Sequence, residues 1–155
     1  MSGPWWQRAS DARAFEPRVR ELESDARERR HPVPVLLVGS SYIELWRTSD
    51  ADLRPLETVN YGVGGSTMGA QQQFMARIVI PARPECLVVY AGSNDMTGAR
   101  FGSKRGLDVA ARVLEYLDSV REALPECRIL YVSITEAPVR VRAHREIRLA
   151  NALIG

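Results

Sequence analysis

The sequence predicts an α/β domain in which a parallel sheet lies between helical layers. Short apolar runs at 33–38, 57–60, 85–91 and 127–134 alternate with longer stretches in which apolar residues recur at helical spacing. The runs are rich in β-branched and aliphatic residues, as strands covered on both faces are. Three of them stop at small polar clusters: Gly39-Ser40-Ser41, the stretch from Gly62 to Ser66, and Gly92 to Asp95. The carboxyl ends of parallel strands share one sheet edge, so these clusters are expected to converge on one crevice.

Taken in order, residues 1–31 form an N-terminal helical segment packed on the body. Trp5 and Trp6 are expected to anchor it as an apolar patch, and Phe15, Val19, Leu22 and Ala26 mark the inner face of a helix beginning near Pro17. The first strand, ending in Val35, Leu36, Leu37 and Val38, breaks at Gly39, and Ser40 or Ser41 opens the next helix, where serine is a common cap. A polar connection, Asp50 to Pro55, leads to the second strand and the glycine-rich NYGVGGST. From Thr67 a helix with Met68, Phe74, Met75, Ile78 and Val79 inside runs to Pro81. After the third strand, a loop through Lys104 leads to a helix over 106–124. Leu107, Ala110, Leu114, Leu117 and Leu124 are predicted to face inward, with Asp108, Arg112, Glu115 and Glu122 outward. Pro125 ends it, the fourth strand follows, and a last helix starts near Arg142 with Ile147, Ala150, Leu153 and Ile154 as its apolar residues.

At 155 residues, with 45% apolar and 26% charged side chains, the chain fits one domain, 1–155. The net charge of +2, with arginines interleaved among acids, excludes the basic footprint of a nucleic-acid binder. No apolar run approaches the ~18 residues of a membrane span, and MSGPWWQRASDAR has no apolar export segment, so a cytoplasmic protein without a membrane partner is expected. Cys86 and Cys127 stand apart from any Cys/His cluster and are expected as buried, reduced thiols; no metal and no cofactor are expected.

A serine hydroxyl beside glycine N–H groups and a carboxamide is equipment for acyl transfer. The hydroxyl attacks a carbonyl carbon, and the donors stabilise the oxyanion that develops. Each part has a plainer explanation: the serines as helix caps, GVGGST as a tight turn, Asn94 and Asp95 as turn residues. The glycine stretch departs from the dinucleotide fingerprint because Thr67 stands at its last position. Ile43 stands where the second glycine of a nucleophile elbow would be.

LLVGSSYIELW, NYGVGGST and VVYAGSNDM, in this order, resemble the first three sequence blocks of the SGNH or GDSL hydrolases, most closely the bacterial branch related to platelet-activating-factor acetylhydrolase. The resemblance implies a three-layer α/β/α sandwich with a flavodoxin-like parallel sheet, and a small acyl ester as substrate. It places the nucleophile at Ser41 and the oxyanion donors at Gly65 and Asn94, with the N–H of Ser41 itself. Ser40 stands where the family has aspartate, and its hydroxyl is expected to serve the turn instead.

Family members end in a fifth strand and a DxxH block whose histidine is the base. Neither is present, so a shortened, C-terminally incomplete four-stranded chain with impaired activity is expected. It would leave an exposed sheet edge through which copies could pair. His31 precedes the first strand at the opposite edge, and His144, the remaining candidate base, lies among Arg142, Arg145 and Arg148 as a solvated helix residue. A catalytically silent binding module using the same crevice, and a nucleotide-binding flavodoxin-like domain, are the alternatives.

Overall fold

The computed structural model describes residues 12–99 and 101–155. The expected anchoring by Trp5 and Trp6 lies outside the described residues. Helices α1 (Glu16–Glu28), α2 (Ser41–Glu44), α3 (Ser49–Asp52), α4 (Met68–Phe74), α5 (Gly106–Ala123) and α6 (His144–Ile154) flank a parallel sheet. Its strands are β1 (Val35–Gly39), β2 (Thr58–Gly62), β3 (Cys86–Tyr90) and β4 (Arg128–Tyr131), in the order β2-β1-β3-β4. The three-layer α/β/α arrangement is as expected. In the register, Gly39 lies opposite both Gly62 and Tyr90. Three strand ends are therefore level, and the residues that follow them must meet at one edge.

The two layers of helix are unequal. Leu36, Val38, Tyr61, Leu87 and Val89 point into the main core, where they meet α1, α4, α5 and α6. On the other face, Leu37 and Tyr90 are covered by Ile43, with Trp46 and Leu53 beside it, all from the segment of the short helices α2 and α3. Leu130 and Val132, at the outer strand, stay 58% and 45% exposed.

Helix α1 follows a 3-10 turn at Ala12–Phe15, carries proline in its first turn and buries Val19, Leu22 and Ala26 as its spacing predicts. Phe15 meets Phe74 edge-on at 6.0 Å. Its outer face is laced by pairs four apart, such as Arg20 with Glu16 and Arg27 with Glu23. The helix predicted from Thr67 to Pro81 is α-helical only to Phe74 and continues as a π-turn, Met75–Val79. That turn carries Arg77, which bridges Glu16 and Glu23 of α1 at 2.9 and 2.6 Å.

Two expectations need correction. In α5 the buried stripe is Val109, Ala110, Val113, Tyr116, Leu117 and Val120, while Leu107 and Leu114 are 53% and 38% exposed. The rotation follows from close helix packing: a Cβ on Gly106 would collide with the Glu146 carbonyl of α6, so the small residue faces α6 and turns the leucines outward. Cys86 and Cys127 are free thiols but only partly buried, because they lie at the amino-terminal end of the sheet, where the strands leave the core.

Candidate active site

The site is assembled from the level ends of β1, β2 and β3. The Ser40 N–H donates to the Tyr90 carbonyl at 3.1 Å, and the Ser40 carbonyl accepts from Ile43 and Glu44 at 3.0 and 3.1 Å, which turns the chain into α2 with Ser41 as its first residue. The helix stops after one turn, and Asn60 Nδ2 from β2 takes the Ile43 and Trp46 carbonyls at 2.6 and 3.2 Å. Ser40 occupies the cap position, but its hydroxyl makes no capping bond, and its fully buried Oγ has no partner among the described residues. The expected turn bonding by that side chain is absent among the described residues, and the turn is closed by the backbone N–H and carbonyl of Ser40 instead.

The glycine loop folds back over this turn. The Val63 N–H donates to the Gly39 carbonyl at 2.8 Å, and both the N–H and the hydroxyl of Ser66 donate to the Val63 carbonyl, at 3.2 and 2.7 Å. A Cβ built on Gly64 would lie 3.8 Å from the Cα of Ser41 and would collide with the Glu44 carboxylate, so the loop lies directly against the serine turn. Gly65 has a φ of +81°, a left-handed conformation that side chains disfavour. Thr67 then caps α4 by accepting from the Ala70 N–H at 3.3 Å.

The third cluster locks onto the second. Asn94, 8% exposed, donates through Nδ2 to the Ser66 carbonyl at 3.0 Å. Asp95 lies in the turn that follows β3, and its Oδ2 accepts from the Met68 N–H at 2.9 Å and so joins Thr67 in capping α4. Burial pushes the Asp95 carboxyl above its ordinary value, opposed by that N–H and by the charges of Arg112 and Lys104. Gln71, 1% exposed, donates from α4 to the Gly39 carbonyl at 3.0 Å and to Ser66 Oγ at 2.8 Å. Side chains and backbone thus join all three strand ends.

This arrangement leaves donors unspent. Neither the Ser41 N–H, at the first position of α2, nor the Gly65 N–H donates to an acceptor among the described residues. The turn that carries Ser41, the loop that carries Gly65 and the Asn94 side chain are neighbours, through the approach of Gly64 to Ser41 and the bond from Asn94 to Ser66, whereas neither histidine is bonded to any of them among the described residues. His31 precedes β1 at the opposite edge. His144 opens α6, where its Nε2 lies 2.9 Å from the Ala137 carbonyl and its Nδ1 3.5 Å from the Glu136 carboxylate, which Arg148 also holds at 2.6 Å. Among the described residues no hydrogen bond joins Ser41 to a histidine.

Gln71 and Arg140 are contributors that sequence reasoning missed, and the reach of Asp95 to the start of α4 is a third. Arg140 lies in the 3-10 turn Pro138–Ala143 and reaches the third cluster. A pocket of about 380 Å³ beside α2, lined by Arg18, Glu44, Trp46, Arg47 and Asn60 among others, does not include Ser41. Among the described residues no cluster of three or more His, Cys, Asp or Glu side chains is placed to hold a metal ion, and no helix is long and apolar enough to cross a membrane.

Solved structures share this architecture. A Streptococcus pneumonia protein named as a platelet activating factor superposes with a TM-score of 0.73 at 16% identity, over 89% of this chain and 66% of that one. A GDSL-like lipase from Bacteroides thetaiotaomicron gives 0.71 at 17% identity, over 93% and 72%. The fold is that of the SGNH or GDSL hydrolases. A Bacteroides fragilis protein named as an acylhydrolase shares this SGNH fold with a TM-score of 0.67 at 15% identity, over 86% and 67% of the two chains. The chain therefore spans about two thirds of the length of these SGNH-fold structures. No protein-family model matches the sequence, and no curated protein matches it.

Proposed function

We propose that the chain is a serine ester hydrolase acting on a small acyl ester through an acyl-Ser41 intermediate. The observation that carries this is the unspent pair of backbone donors, Ser41 N–H and Gly65 N–H, beside the Asn94 carboxamide. The Ser41 hydroxyl attacks the ester carbonyl carbon, the alkoxide leaves with a proton, and water then cleaves the acyl-serine. The two N–H groups and the second Nδ2 hydrogen of Asn94 hold the oxyanion in both steps. Each such donor is worth about 10²–10³-fold in rate.

The base is the weak part of this site. His144 is occupied with Ala137 and Glu136, so the hydroxyl gives up its proton without an imidazole in contact. Removing one member of a nucleophile–base unit costs about 10⁴-fold or more. Turnover by this chain is therefore expected to be slow. Hydrolysis of p-nitrophenyl acetate by the chain and by Ser41→Ala tests the proposal: a slow rate that disappears with the hydroxyl supports it, and equal rates refute it.

A further inference from the structure

Arg140 lies outside the three clusters, yet its guanidinium is fixed on the third. Nη1 donates to the Ser93 carbonyl at 2.5 Å and to the Met96 carbonyl at 3.3 Å, and Nη2 donates to Asn94 Oδ1 at 3.0 Å. The carbonyls on either side of Asn94 and the amide of Asn94 itself are thus gripped by one planar fork. No carboxylate pairs with Arg140 among the described residues, and burial lowers its affinity for the proton.

A carboxamide has two ends of nearly equal size and opposite polarity. If Asn94 is to stabilise an oxyanion, its N–H end must face the crevice, since a flipped amide would turn lone pairs on the developing negative charge. The partners here decide the orientation. Arginine can only donate, so the end facing Nη2 must be oxygen, and a carbonyl can only accept, so the end facing Ser66 must be nitrogen. A flip would set donor against donor at Arg140 and oxygen against oxygen at Ser66. The first of these contacts is charge-assisted and the stronger.

We propose that Arg140 is the positioning residue that fixes the Asn94 amide in the orientation an oxyanion donor requires. It touches no substrate atom and acts through Asn94. The inference rests on the ester-hydrolase proposal for its purpose, but the clamp itself is measurable without turnover. Lysine cannot substitute, because one ammonium group cannot reproduce a planar fork spanning an amide oxygen and two carbonyls.

The chain contains three asparagines, Asn60, Asn94 and Asn151, so protein labelled with ¹⁵N in asparagine side chains carries its own controls. The Asn94 amide pair is identified by its loss in Asn94→Ala. In both Arg140→Ala and Arg140→Lys the Asn94 pair is expected to shift while the Asn60 and Asn151 pairs stay in place. For p-nitrophenyl acetate, kcat is expected to fall about 10- to 100-fold with KM within about twofold, short of the ~10²–10³-fold loss of a deleted donor. Added guanidinium ion at low concentration should restore part of the rate of Arg140→Ala. An Asn94 pair that does not move in either variant overturns the clamp, whatever the rates. Absence of Ser41-dependent hydrolysis in the unsubstituted chain counts instead against the ester-hydrolase proposal.

Discussion

Gln71 Nε2 donates to the Gly39 carbonyl oxygen at 3.0 Å, so the residue that ends β1 is held by a side chain 32 positions further along. The same nitrogen donates to Ser66 Oγ at 2.8 Å. Gln71→Leu keeps the bulk but removes two hydrogen bonds, while the Gly39 carbonyl keeps the Val63 N–H and the Ser66 hydroxyl still donates to Val63. Each lost bond costs about 0.5–1.5 kcal/mol. Urea unfolding should show a loss in that range or somewhat above it, with the slope unchanged, and an unchanged midpoint would remove Gln71 as the tie between strand end and glycine loop.

Ser40 offers the opposite expectation. Its hydroxyl is fully buried with no partner among the described residues, so the folded state bears the desolvation of a polar group and gains no bond. Ser40→Ala should be neutral or stabilise the chain by up to about 1 kcal/mol. A clear loss of stability in thermal or urea unfolding would mean that the hydroxyl has a partner after all.

What is legible in the sequence and what is not differ for physical reasons. The convergence of the three clusters is legible because parallel strands of similar length must end at one edge, and the register sets Gly39 against Gly62 and Tyr90 as that logic requires. Gln71 is illegible because it is one of three consecutive glutamines, and which of them faces inward depends on how α4 is rotated; 71 is buried and 73 is exposed. Arg140 is illegible for a similar reason, standing in a basic stretch with Arg142, Arg145 and Arg148 whose other members face outward or pair with acids. The inward face of α5 is misjudged because leucine content outweighs the valine and tyrosine positions that meet the sheet.

Gly65 carries a second stability test. An added Cβ would have ordinary room, its nearest described neighbour being the Phe15 ring at 3.7 Å, so crowding is not the cost. The φ of +81° is, and a left-handed residue with a side chain loses about 1–2 kcal/mol. Gly65→Ala should therefore lower the unfolding free energy by that amount, and Gly65→Asn by less, since asparagine tolerates this region better. Equal costs would argue against the backbone origin.

Acid sensitivity should trace to the contact between α1 and the π-turn. Arg77, with Arg20, holds the Glu16 carboxyl down from 4.5 to about 2, and Arg77 also lowers that of Glu23. A depressed folded-state value means stabilisation that is complete above 4.5 and lost as pH falls through about 2. The unfolding midpoint of the chain should exceed that of Arg77→Leu near neutrality, and the gap should narrow as pH falls through this window. A gap that is constant with pH would show that the arginine acts through packing alone.

The central claim is that Ser41 is a nucleophile set among oxyanion donors, and an active-site phosphonate tests it most directly. A fluorophosphonate forms a phosphorus–oxygen bond to an attacking serine with loss of fluoride, and its phosphonyl oxygen occupies the place of an oxyanion. Incubation of the chain with such a probe, followed by proteolysis and mass spectrometry, should show slow labelling confined to the peptide containing Ser41, diminished about 10²-fold or more in Asn94→Ala. Labelling that is absent, or spread over other serines with no preference for Ser41, would contradict the claim.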